Sequence, residues 1–201
     1  PGYLHITTRG LDDNCNGFLG AQYSQLKLPG AKVPENLARA TSIDESAAVR
    51  REEFLQRLSK RFAGKNGQAA FTDAFESSFA MAEKLMANKE LLKAEPSGKD
   101  IERYGSHPFA KNCILARTLL NNGATCVKVT HHGYDTHAEN FNFHLEQLGE
   151  FDKTFCMLFD DLEDAGVVDS TLVMVYTDFG RTPKINNPYG RDHGGASCSA
   201  A

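Results

Sequence analysis

Apolar positions change texture along this chain. From Pro1 to residue 41 they recur without a firm period. "GFLGAQYSQLKLPGAKVP" is broken by turn signals at Pro29-Gly30 and Pro34, and predicts an irregular surface segment. Ser42-Ile43-Asp44-Glu45 has the form of a capping box, so a helix is expected to follow, with Val49, Leu55, Leu58 and Phe62 inward and Gly64 as its stop. A second helix is predicted from Gln68 to Asn88, carrying Phe71, Phe75, Phe79, Ala82, Leu85 and Met86 on one side. "KAEPSGKD" reads as a loop.

From Pro108 the pattern sharpens. Phe109, Cys113, Ala116 and Leu120 repeat at helical spacing, with Gly123 as the stop. "TCVKVTH", Thr125 to His131, alternates and is β-branched, which predicts a strand. Phe141, Leu145, Leu148, Phe151, Phe155, Leu158 and Leu162 then mark a long amphipathic helix closed by Gly166. "TLVMVYT", Thr171 to Thr177, is nearly continuous in apolar residues, as in a strand buried on both faces. Strand, crossover helix and strand make a right-handed βαβ unit, and ligands sit beyond the carboxyl ends of such strands. The expected division is an irregular segment over residues 1–41, a helical region over 42–100 and a βαβ part over 101–201.

Composition excludes more than it identifies. The apolar share of 41% is enough for a folded core. The net charge is −4 and there is no basic stripe, which argues against a nucleic-acid partner. No apolar run reaches the length of about 18 residues that marks a membrane span. The first residue is Pro1 and the chain closes on "GGASCSAA", so a fragment is expected and a leader is not looked for. The five cysteines form no CxxC pair; Cys113, Cys126 and Cys156 lie in apolar patterns and read as small core residues.

The chemistry concentrates after the two predicted strands. "THHGYDTHAEN", Thr130 to Asn140, holds three histidines and an aspartate. "DFGRTPKINNPYGRDHGG" follows the second strand and holds Asp178, Arg181, Asp192 and His193. Carboxylate with imidazole suits zinc, manganese or iron, so Asp135, His137, Asp178, Asp192 and His193 are candidate ligands of a divalent ion. Arg181 could fork onto a phosphate or sulfate oxygen. Simpler roles stand beside these. Asp135 or Thr136 could cap the helix that follows, and Asp178 could cap a turn. Arg181 could make a surface ion pair. His131 and His132 straddle a strand end and read as structural, His144 as a boundary residue of the long helix, and His5 and His107 receive no role.

"GYDTHAENF", "TDFGRTPKIN" and "GRDHG" resemble three motifs, GWDTH, EFGRTPxIN and GRDHW, of an uncharacterised bacterial sulfatase-like family placed in the alkaline phosphatase superfamily. Arg103-Tyr104-Gly105 ahead of a helix is similar as well. The resemblance implies a three-layer α/β/α sandwich, incomplete here and preceded by a helical segment. It implies hydrolysis or transfer of sulfate or phosphate esters on one or two metals, with zinc, manganese or calcium as the ion and a small anionic ester or sulfated glycan as substrate. Asp135 and His137 match the Asp and His that follow one strand, Asp178 the Asp after the next, and His193 the later His. The resemblance also implies a periplasmic or secreted location. Departures are Tyr134 for Trp, Asp178 for Glu, Gly194 for Trp, and Phe179 where the superfamily usually has His. No C/S-x-P-x-R signature is present, so the nucleophile is expected upstream of Pro1 and the chain alone could be inactive.

The expectation is a metal-dependent ester hydrolase. The alternative is an anion- or glycan-binding protein that keeps the fold without turnover. A nucleotide-binding domain ranks last, since neither GxGxxG nor a P-loop occurs.

Overall fold

The computed structural model describes residues 3–7, 23–32, 37–66, 69–93, 95–177 and 179–195. Its order is β1 (Leu4–Thr7), β2 (Leu26–Pro29), α1 (Glu45–Asn66), α2 (Ala69–Ala87), α3 (Lys89–Leu92), α4 (Gly98–Tyr104), α5 (Pro108–Asn121), β3 (Val127–Thr130) and α6 (Asn140–Asp164). It is a mixed α/β protein with a small parallel sheet of order β2-β1-β3. The chain forms two compact units, residues 1–94 with 118–128, and residues 95–117 with 129–201. No helix among the described residues is long and apolar enough to cross a membrane.

In the first unit the sheet is built where an irregular surface segment was expected. β1 pairs with β2 in parallel, Leu4 opposite Leu26 and Thr7 opposite Pro29. The Leu4 N–H donates to the Cys126 carbonyl at 2.9 Å on the other side. As the middle strand, β1 is buried along its whole length. Buried at all four positions and with His5 and Thr7 among them, β1 shows neither an inside–outside alternation nor an apolar run, which is why the pattern missed it. The buried His5 ring is met by Gln25 Oε1, 3.1 Å from Nδ1.

Helix α1 starts two residues later than the supposed capping box requires. Its cap is Asp44, whose Oδ1 accepts from the Ala47 N–H at 2.7 Å, and Gly64 lies inside the helix rather than ending it. Val49, Leu58 and Phe62, expected inside, are exposed, as are Phe75 and Phe79 on α2. Helical periodicity identifies an apolar face; it does not say whether anything covers that face.

In the second unit the expected loop "KAEPSGKD" gives way to a helix at its end, where α4 begins at Gly98. Ser97 and Asp100 form the reciprocal capping box of α4. Tyr104, Phe109, Ala110, Cys113 and Ile114 make the core, with Val129, Phe151, Met157 and Leu158 against it. Burial pushes the Cys113 thiol up to about 12. Cys126 and Cys156 are exposed and are not core residues as their sequence setting suggested. Gly123 and Gly166 end α5 and α6 with φ of 84° and 68°, as expected. The apolar face of α6 divides: Leu162 is buried, whereas Phe141, Leu145 and Leu148 are exposed. Residues 171–177 are not a strand of the sheet. Leu172, Met174 and Tyr176 are exposed at 85%, 59% and 54%, while Val173 and Val175 are half-buried. Only one side of this segment is covered, so it does not complete the expected βαβ unit.

Asp161 on α6 ties the second unit together. It accepts from the Tyr104 hydroxyl at 2.6 Å, pairs with Arg103 at 2.6 Å, and also pairs with Arg117. Arg117 reaches Asp100 of the capping box at 2.9 Å. Burial pushes the Asp161 carboxyl up, but hydrogen bonds from Tyr104, Arg103 and Arg117 outweigh it, and the net shift is downward. A lowered carboxylate contributes stability above its unfolded value of about 3.9 and loses it as pH falls through the folded value below that. Asp161→Ala takes the carboxylate from Arg103 and leaves Arg117 with Asp100 and the Tyr104 hydroxyl with the Met157 carbonyl, and should cost about 3 kcal/mol in urea unfolding at pH 7. The deficit should vanish when the two proteins are compared in acid, below the folded-state titration.

Candidate functional site

The segment from β3 into α6 is positioned by packing on one side and by a distant loop on the other. The His131 ring stacks on Phe109 with centroids 4.2 Å apart, and its Nδ1 lies 3.0 Å from the Tyr134 hydroxyl. Burial lowers the His131 pKa, which fits the structural role expected of it. His107 Nδ1 accepts from the Ala110 N–H at 3.3 Å, and His144 Nδ1 meets the Asn140 carbonyl at 2.8 Å.

Neither Asp135 nor Thr136 caps α6. The Thr136 hydroxyl, buried, donates to Asn140 Oδ1 at 2.7 Å. The residue preceding the helix, Glu139, has φ of 47° and makes no side-chain cap. The free N–H groups of Glu139 and Asn140 instead donate to the Pro188 and Tyr189 carbonyls, each at 3.0 Å. Main-chain atoms 49 residues further along the sequence thus serve as the cap.

The same loop docks at several further points. The Arg191 N–H donates to the Thr136 carbonyl at 3.0 Å, and Asn186 Nδ2 to the His137 carbonyl at 2.9 Å. Gly190 lies flush against this strip: a Cβ there would fall 1.9 Å from the His137 carbonyl carbon and oxygen. The loop is itself closed by an antiparallel bridge between Arg181 and His193 and by Thr182 N–H to the Asp192 carbonyl at 2.9 Å.

Docking brings four of the five expected ligands together. Asp135 Oδ1 lies 2.9 Å from His193 Nε2 and 3.1 Å from His137 Nε2, and the two Nε2 atoms are 3.2 Å apart. Asp135, His137 and His193 are all exposed, and they are the one group of potential metal donors found among the described residues. Asp192 stands behind them, with Oδ1 2.9 Å from His137 Nδ1. Asp178 lies outside the described residues. Arg181 contacts Asp135 with Nη2, which also lies 3.3 Å from the Tyr134 carbonyl, while Nη1 is 3.3 Å from the Arg191 carbonyl. The Phe179 ring packs on His193 at 4.4 Å and lies 5.7 Å from the Arg181 guanidinium.

Hydrogen bonds from His193 and then Arg181 hold Asp135 down at about 2. Asp192 is lowered by His137 and then Asn186. Both carboxylates are therefore ionised at neutral pH.

Sequence reasoning missed Asn186 and Gly190. The run Asn186-Asn187-Pro188-Tyr189-Gly190 carries dense turn chemistry, which signals a loop but not what the loop touches.

Fold and site together define a mixed α/β protein with an open carboxylate–imidazole cluster on one of its two units. The chain belongs to the family described as "Protein of unknown function (DUF1501)", whose model matches residues 1–201. No curated protein and no solved structure matches it.

Gly190→Ala forces the loop off the His137 carbonyl, and thermal or urea unfolding should show a loss of about 2 kcal/mol. An unchanged unfolding midpoint would mean that the loop does not depend on this close approach.

Proposed function

We propose that Asp135, His137 and His193 bind a divalent transition metal, and that the protein is a hydrolase of phosphate or sulfate esters of the sulfatase-like kind its motifs resemble. The observation that carries the reading is the spacing of the three donor atoms, 2.9, 3.1 and 3.2 Å apart. Ligands at about 2.0–2.1 Å from a shared ion lie about 2.8–3.0 Å apart at the right angles of an octahedral site and about 3.3–3.4 Å apart at tetrahedral angles, and the three spacings fall within that span. Proton accounting supports the same reading. Asp192 accepts the His137 Nδ1–H, so the neutral ring turns its Nε2 lone pair toward the Asp135 carboxylate. Two acceptors then face each other, and a cation among them removes the repulsion. A carboxylate behind a ligating imidazole is also the usual outer partner of a metal-bound histidine. Two imidazoles with one carboxylate favour zinc, manganese or iron over calcium, which takes oxygen ligands.

When bound, the metal would supply a Lewis acid and a water of lowered pKa. The chain's own residues do the rest. Asp192 keeps the His137 ring oriented. Arg181 stands beside Asp135, with N–H groups beyond its three contacts available to an anionic ester oxygen as negative charge develops. Phe179 gives the cluster an apolar edge against which an aryl or sugar leaving group could lie. An anion-binding protein without turnover remains the second reading, in keeping with the cluster's openness to solvent.

Zinc titration followed by calorimetry should show one site, lost in Asp135→Ala, His137→Ala and His193→Ala. Affinity should fall in acid as protons compete with the metal for the ligand atoms. Turnover of an aryl phosphate or aryl sulfate by the zinc-loaded protein, abolished in His137→Ala, would support the hydrolase. Zinc binding without release of aryl alcohol from either ester would favour the binding protein, and no zinc binding would overturn the metal site.

A further inference from the structure

Asp192 can hold the His137 ring only if Asp192 is itself held, and the fold supplies one side chain for that. Asn186 Nδ2 donates to Asp192 Oδ1 at 3.2 Å and to the His137 carbonyl at 2.9 Å. Its other amide atom, Oδ1, accepts from the Gly190 N–H at 2.7 Å. Because a backbone N–H can only donate, this contact fixes which end of the amide is oxygen and leaves Nδ2 as the donor facing Asp192 and His137. The Asn186 main chain also closes the turn, with its N–H on the Gly190 carbonyl at 3.0 Å. One residue therefore touches the backbone of a proposed ligand, the carboxylate behind that ligand, and the glycine that lets the two segments meet.

We infer that Asn186 is a positioning residue: through Asp192 it locks His137 in the tautomer with the proton on Nδ1, so that Nε2 presents its lone pair to Asp135 and His193. This deepens the metal-site reading and rests on it for its functional consequence. The tautomer itself belongs to the metal-free chain. An acceptor fixed at Nδ1 selects Nδ1–H in a neutral ring, and an acceptor free to swing away does not. The Asp192 side chain is more than half exposed, so the second hydrogen bond, from Asn186, sets its direction.

The test separates this role from simple turn formation. Asn186→Asp keeps an oxygen for the Gly190 N–H but replaces the donor by a like charge beside Asp192. Asn186→Ala removes both. Histidine-selective nitrogen-15 correlation spectra of the full metal-free chain, recorded with the rings neutral, report the tautomer of His137, which is identified by its loss in His137→Gln. The native chain should show Nδ1 protonated and Nε2 bare. Asn186→Asp should give the mixed tautomers that Asp192→Ala gives, and zinc alone should bind both variants about 10-fold more weakly. A native His137 protonated on Nε2 overturns the inference. So does Asn186→Asp with native tautomer and native zinc affinity, since Asn186 would then only shape the turn. A tautomer that shifts in Asn186→Asp, in a chain that binds no zinc even as native protein, leaves the positioning role standing and removes the metal-site reading instead.

Discussion

Everything at the candidate site depends on one docking event: the loop 180–194 lying along the strip Thr136 to Asn140. The contact is made by main chain at three hydrogen bonds and by the Asn186 side chain at a fourth. Two carbonyls of the loop take the free N–H groups at the start of α6, and the Thr136 and His137 carbonyls are taken by Arg191 and Asn186 in return. An uncapped helix start carries several unpaired donors, each costly to leave without a partner, so the loop satisfies a need the local sequence leaves open. Gly190 sets the distance of approach, because there is no room for a methyl group between the loop and the His137 carbonyl.

Charge at the site is arranged in layers. Asp135 is shared among two imidazoles and a guanidinium, and Asp192 is held between an imidazole and an amide. Neither carboxylate is shielded from water, so these contacts act on protonation and orientation more than on overall stability. The Asp161 network in the same unit works differently. Asp161 is largely buried and meets two arginines and a tyrosine, so there the pairing bears on stability and fastens α4, α5 and α6 to one another. One unit thus contains a buried ionic hub that holds helices together and an exposed ionic cluster whose atoms are open to a ligand.

Much of the secondary structure was legible in the sequence. α2, α5, β3 and α6 appear within a few residues of where period and stop signals put them, because each carries its signal within a single window. Asp135, His137, Asp192 and His193 were legible as chemistry by residue type and motif, and they do converge. The expected route to convergence was wrong. Residues 171–177 are apolar without being a buried strand, so the loop after them is placed by its bonds to Thr136–Asn140 rather than by a shared sheet rim.

The chain by itself determined local matters: where helices run, where Gly123 and Gly166 stop them, and which side chains could hold a proton or a metal. These depend on neighbours a few residues apart and on intrinsic chemistry. Tertiary structure alone decided that β1 and β2 are strands, since a four-residue strand exists only through its partners. It decided that Val49, Phe62 and Leu145 face solvent, since periodicity names a face and not its cover. It also decided that Asn186 stands behind His137 and Asp192, because a contact across 49 residues, from a side-chain amide to a distant carbonyl, leaves no periodic trace in either segment.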